Sequence, residues 1–225
     1  MSTLSILATR DLSVRYNKTR ALQNVSLDIH EGDFIVIYGQ SGSGKSTLLH
    51  CISGLEVPTT GSVLFYGNDI FAVSDENDLN DYRKQFLGLI FQQHTALKFL
   101  SNQENVALPL ILSGIDYEPA VQAAYEMLQR FKLASKATNR PTEVSSGQLQ
   151  RIMMARALIQ NPDVIIADEP TGNLDSKTGD EIIEILRELH KKQRKTVIMA
   201  THQLQYRTYA TKTVEMHDGT ITIHR

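Results

Sequence analysis

The most constraining stretch of this chain is Phe34-Ile35-Val36-Ile37-Tyr38, an apolar run that opens without a break into Gly39-Gln40-Ser41-Gly42-Ser43-Gly44-Lys45-Ser46-Thr47. A continuous run of that kind suits a strand covered on both faces, as in a parallel sheet flanked by helices. A glycine-rich turn between such a strand and a helix lets backbone N–H groups wrap phosphate oxygens, and the helix N-terminus adds a favourable dipole. The match to G-x-x-x-x-G-K-[ST] is complete at Gly39, Gly44, Lys45 and Ser46. Lys45 is then expected to reach the β- and γ-phosphates of a nucleotide, and the Ser46 hydroxyl to ligate Mg²⁺.

Two further apolar runs end in chemistry-bearing residues. Val164-Ile165-Ile166-Ala167 is followed by Asp168-Glu169-Pro170, and Val197-Ile198-Met199-Ala200 by Thr201-His202. Strands of a parallel sheet present their C-terminal ends to a common ligand crevice, so one edge can collect all three segments. Asp168 would hold Mg²⁺, directly or through water. Glu169 would orient and deprotonate an attacking water, a role worth ~10²–10⁴-fold in rate. His202 would hydrogen-bond the γ-phosphate. Alone, the acidic pair reads as a helix cap and His202 as a structural histidine; the joint placement favours the catalytic reading.

The rest of the chain frames this core. Leu12–Tyr16, Val25–Ile29 and Ser62–Tyr66 read as strands of an N-terminal antiparallel β subdomain. Ser74 to Gln85, acidic first and basic later, reads as a solvated helix. Residues 95–160 are Ala-, Leu- and Met-rich and read as an inserted α-helical subdomain, leaving 1–94 and 161–225 as the α/β core. A helix is expected over roughly Thr178 to Lys192, with Ile182, Ile185, Leu186 and Leu189 on one face. Val214–Met216 and Thr220–Ile223 flank an Asp218-Gly219 hairpin turn. The predicted class is α/β, a P-loop NTPase core with an N-terminal antiparallel β subdomain and an inserted helical lobe.

Composition narrows the partners. A formal net charge of -2 supplies no general basic field, so nucleic acid is not expected. The single thiol, Cys51, lies in the helix after the glycine loop and reads as packing. No stretch reaches the ~18 apolar residues of a membrane span; the longest, Val106 to Ile115, is interrupted by Pro109. The first residues lack the pattern of a secretory leader. A membrane role would therefore need another chain to cross the bilayer.

From end to end, with its motifs in the family's order, the chain resembles the ABC-type ATPases. Gly39 to Thr47 resembles their Walker A loop, whose residues Gly39, Ser41, Gly42, Ser43, Gly44, Lys45, Ser46 and Thr47 the resemblance assigns to nucleotide binding. Val164 to Glu169 resembles Walker B with its catalytic glutamate, and His202 the switch histidine. Gln92 stands where the family places a glutamine that senses Mg²⁺ and the attacking water and contacts the transporter partner. Val144-Ser145-Ser146-Gly147-Gln148 resembles the signature motif, Asn173-Leu174-Asp175 the D-loop, and Tyr16 the aromatic that stacks on adenine. By themselves Ser145 reads as an ordinary helix N-cap and Tyr16 as packing. Val144 and Ser146 depart from the usual leucine and first glycine, and Gln203 stands where an acid is common.

The resemblance implies ATP and Mg²⁺ as cofactors and two ATPs sandwiched between two copies, with Ser145, Gly147 and Gln148 meeting the nucleotide of the opposite copy. It further implies a permease partner and a peripheral position on the cytoplasmic side of the membrane. The run Asp168 to Asp175, together with Glu104 to Leu110, is similar to a subgroup that powers lipoprotein release, macrolide or peptide export, and cell-division complexes. The competing reading is a soluble relative acting in DNA repair or translation. It fits less well, because the insertion is too short for a long coiled coil and there is one Walker A loop.

Overall fold

The computed structural model describes residues 5–72, 75–91 and 95–224. Its centre is a six-stranded sheet of β3 (Phe34–Tyr38), β6 (Leu87–Ile90), β7 (Val164–Asp168), β8 (Thr196–Thr201), β9 (Lys212–His217) and β10 (Thr220–His224). Their order is β10-β9-β3-β8-β7-β6, parallel throughout except for the β9–β10 hairpin. The hairpin turn has positive φ at Asp218 (45°) and Gly219 (78°), the pairing a tight two-residue turn requires.

The apolar runs alternate between two cores. On one face Ile35, Ile37, Ile166, Ile198 and Val214 pack with Leu48, Leu49 and Ile52 of α1 (Lys45–Ile52). On the other, Phe34, Val36, Ile165, Ala167, Val197 and Met199 pack with Ile182, Ile183 and Leu186 of α6 (Ser176–Gln193). Every residue of β3 is buried, which is why that segment is apolar without interruption. Each such side chain contributes about 1.5–3 kcal/mol of burial free energy. Cys51 lies in the first core, fully buried, and burial pushes its thiol up to about 12, so it packs and does not react.

A second, antiparallel sheet of β1 (Ser5–Tyr16), β2 (Thr19–His30), β4 (Thr60–Phe65) and β5 (Asn68–Asp69), in the order β2-β1-β4-β5, covers the first core. Helix α2 (Glu76–Phe86) is not simply solvated as its charges suggested. Its Leu79 and Tyr82 are buried, the Tyr82 hydroxyl donates to the Ile52 carbonyl, and Arg83 donates to that of Gly54. The following β6 was not anticipated as a strand; its four residues are too few to show a period.

Helices α3 (Asn102–Leu112), α4 (Tyr117–Arg130) and α5 (Ser146–Leu158) enclose a third cluster of Val106, Ala107, Ala120, Ala124, Leu128, Ile152 and Ala155. Small residues on α3 and α4 let these helices approach closely. Helix α3 runs through Pro109 rather than ending there. Helix α5 serves two cores, with Ile152 and Met153 toward α3 and α4, and Met154 and Leu158 toward the parallel sheet.

The start of α3 is doubly fixed. Ser101 Oγ accepts from the Glu104 amide (3.2 Å) and donates to the Glu104 carboxylate (2.6 Å), which also accepts from the Ser101 amide (2.7 Å). These donors hold the Glu104 carboxyl below the usual carboxylate range. One turn on, the buried Asn105 donates to the carbonyls of Leu97 and Ser101 and accepts from the Leu97 amide, fastening the preceding loop. Ser101→Ala is expected to lower stability by ~1 kcal/mol, the usual cost of a lost cap, as a shift of the urea midpoint at unchanged slope.

Candidate functional site

The parallel register sets Tyr38 opposite Thr201 and Asp168 opposite Ala200, so β3, β8 and β7 end side by side. The glycine loop, Asp168-Glu169 and His202 therefore emerge at one edge, and α1 packs against β7 and β8 below it.

The loop's glycines answer to different constraints. A Cβ on Gly39 would lie 2.2 Å from the Met216 carbonyl oxygen, and one on Gly44 2.5 Å from that of Ala21. Gly42 has open space around it but a φ of 79°, which disfavours any side chain. Gly44, at φ 106°, caps α1 without a side-chain hydrogen bond, and a helix start of that kind favours an anion. The Lys45 ammonium is nearly buried at the loop's centre and donates to the carbonyls of Gly39 (2.8 Å) and Gln40 (2.9 Å). Ser41, Gly42 and Ser46 are exposed, Thr47 is half-buried, and Ser43 is buried with its hydroxyl unpaired among the described residues.

Asp168 is buried, and its Oδ1 has no hydrogen-bond partner among the described residues. A buried carboxylate oxygen left unsatisfied calls for a cation or an ordered donor. With the exposed Ser46 hydroxyl, it matches the sparse protein ligation of Mg²⁺, which keeps several waters and takes its remaining ligands from phosphate. The residues fit the ion.

Glu169 adopts a left-handed backbone, φ 46°, unusual for a side chain of its size. Its amide donates to the Ala200 carbonyl (2.9 Å), tying the turn to β8. The twist delivers the carboxylate to His202, with Oε2 at 2.8 Å from Nδ1. The carboxylate is 12% exposed and the imidazole 58%, so the carboxylate is sheltered and the histidine open. Left-handed non-glycine residues concentrate where function over-determines the backbone.

Tyr16 is 43% exposed at the end of β1, its hydroxyl near the side chains of Thr47 and Glu56; partial burial raises its pKa. Its open ring beside α1 is available for stacking. Gln92 lies outside the described residues.

The remaining assignments belong to α5 and α6. Ser145 caps α5, accepting from the Gln148 amide (3.3 Å), while the Gln148 side chain accepts from the Ser145 amide (3.1 Å). Ser145 and Ser146 are exposed, whereas Gly147 is buried. Asp175 is the N-cap of α6, accepting from the Thr178 amide (3.0 Å) and hydroxyl (2.7 Å). That cap starts the helix at Ser176, ahead of the expected Thr178.

Two side-chain contacts of this neighbourhood escaped the sequence reading. Thr171 is buried and accepts from the Gln203 side-chain amide (3.3 Å), and the buried Tyr206 donates to Asp180 (3.4 Å). Gln203 thus fastens the histidine turn to the turn after Glu169. No motif spacing announces these contacts.

Comparison with known proteins gives a consistent picture. The family described as ABC transporter matches residues 22–172. The chain is 40% identical over 221 residues to the lipoprotein-releasing system ATP-binding protein LolD of Geobacter metallireducens, covering 96% of this chain and 98% of that protein. It is 42% identical over 205 residues to the macrolide export ATP-binding/permease protein MacB of Mannheimia succiniciproducens, covering 91% of this chain and 32% of that protein. Among solved structures, the ATP-binding cassette MJ0796, a dimer in a post-hydrolysis state bound to ADP and Pi, aligns with a TM-score of 0.90 at 35% identity, over 97% of this chain and 98% of that one.

Proposed function

This chain belongs to the ABC transporter family as an ATP-binding, ATP-hydrolysing subunit, and from that premise we propose how its residues divide the work. Gly39 to Thr47 bind the triphosphate, with Lys45 on its β- and γ-phosphates and Tyr16 against the adenine. Ser46 and Asp168 hold Mg²⁺, which supplies charge neutralisation at the phosphates. Gln92 completes the metal and water site. Glu169 takes the proton of the attacking water, and His202 contacts the γ-phosphate and orients Glu169.

The observation that carries this reading is the 2.8 Å Glu169–His202 contact at the shared edge of three parallel strands, beside a metal-seeking Asp168 oxygen. The exposed Ser145-Ser146 start of α5 offers a second anion site, with serine hydroxyls at a positive helix end. We assign it, with Gly147, Gln148 and Asp175, to the nucleotide of a second copy, so that two ATPs are clamped between two chains. The dimeric neighbour supports that assignment.

Residues 95–160 then form the lobe that passes closure and opening of the pair to a membrane permease, and the chain sits peripherally on the cytoplasmic side through it. None of the described helices is long and apolar enough to cross a membrane. Likeness to LolD and MacB favours lipoprotein release or drug export over a soluble role in DNA repair or translation. Purification of the tagged protein from a detergent extract tests this. Co-purification of a multi-span membrane protein is expected, and co-purification of ribosomes or DNA instead would overturn it.

A further inference from the structure

We propose that Thr178 is a positioning residue: seated by Asp175, its methyl sets the start of the Ser146–Leu158 helix and ties it to the turn that carries Glu169. This rests on the proposed roles of Glu169 and of the α5 start.

Thr178 is held at both ends. Its amide and hydroxyl both bond the Asp175 carboxylate, at 3.0 and 2.7 Å, which fixes the side-chain rotamer. The methyl is then aimed at α5. A Cβ on Gly147 would lie 2.3 Å from Thr178 Cγ2, and the next nearest atoms are also those of Thr178. The missing side chain of Gly147 therefore corresponds to a seat for that methyl within the same chain. Because Thr178 is β-branched and doubly bonded, it cannot swing away as a long flexible side chain would.

The same helical turn reaches the other way. A Cβ on Gly179 would lie 3.4 Å from Thr171 Cβ and 3.3 Å from the Tyr206 hydroxyl, so α6 there is packed against the turn following Glu169. Thr171 in turn accepts from Gln203, the neighbour of His202. A contiguous path runs from Gly147 through Thr178-Gly179 to Thr171, Gln203 and His202. In a paired assembly, His202 and Glu169 serve the nucleotide on their own glycine loop while the α5 start serves the other. The first turn of α6 is thus a rigid spacer between the two sites' machinery.

The test is a second-site suppressor. Gly147→Ala is expected to lower kcat for ATP ~10–100-fold through displacement of α5, with KM little changed, as small misplacements do. Adding Thr178→Ser removes the clashing methyl and keeps the hydroxyl on Asp175, and is expected to return kcat to within ~3-fold of Thr178→Ser alone. Absence of rescue in a folded double variant overturns the proposal, because Gly147 would then be required for phosphate approach alone. Should Gly147→Ala fail to fold, Thr178→Val decides, since it keeps the shape and loses the hydroxyl. At equal melting temperatures, a larger kcat loss in the serine variant, which drops the methyl, than in the valine variant, which keeps it, supports the seat; any other order, or a serine variant as fast as the unsubstituted protein, overturns it. Glu169→Gln separates the levels: full turnover in that variant removes the functional reading itself, whereas its loss without Gly147 rescue removes Thr178 alone.

Discussion

Glu169→Gln is expected to bind ATP with near-normal affinity, to hydrolyse it at least ~100-fold more slowly, and to accumulate as ATP-bound dimers in the presence of Mg²⁺. The substitution keeps the side chain's size and one oxygen acceptor, so the left-handed turn and the contact with His202 have a structural replacement. What it removes is the basic carboxylate that takes water's proton. Binding and chemistry then separate, because the glycine loop and Asp168 are untouched. Single-turnover hydrolysis and light scattering with and without Mg-ATP read the two consequences independently. Near-normal turnover removes Glu169 from the base role. A blocked but persistently monomeric protein removes the two-chain clamp.

Lys45→Ala is expected to weaken ATP binding by ~10–100-fold, the range for one lost hydrogen bond to a charged group. The ammonium sits within the loop on the carbonyls of Gly39 and Gln40. Those same bonds mean that alanine also loosens the loop. Titration of a fluorescent ATP analogue measures the affinity, and thermal melting without nucleotide isolates the loosening. Unchanged affinity would remove the phosphate-loop assignment.

The parallel core was legible because its strands are buried on both faces. Phe34–Tyr38, Val164–Ala167 and Val197–Ala200 carry no polar residue to confuse the pattern, and each ends in residues that packing does not call for. The edge strand Leu87–Ile90 was not legible: it is short, and Gly88 is there because a Cβ would meet the Ala157 carbonyl at 2.8 Å. Helix α2 misled through its charges, since two buried residues, Leu79 and Tyr82, give too narrow a stripe against so many polar neighbours. Within the site, Ser145 was readable as a helix N-cap, while its reciprocal bonds with Gln148 came from the structure. Thr171 with Gln203 was not, because side chains far apart in sequence leave no periodic trace. Gly147 was read from resemblance, and its packing against Thr178 emerged only from coordinates.

The glycine loop also depends on a hairpin distant from it in sequence. The Ser43 carbonyl accepts from the Gly219 amide at 3.0 Å, the Met216 carbonyl fills the space a Gly39 side chain would need, and Gln23 is pinned to the Asp218-Gly219 turn. The recognition sequence is therefore not self-sufficient, because its back wall is supplied by a hairpin distant from it along the chain. A variant with the β9–β10 hairpin disrupted would carry the full motif with one side of its cradle missing.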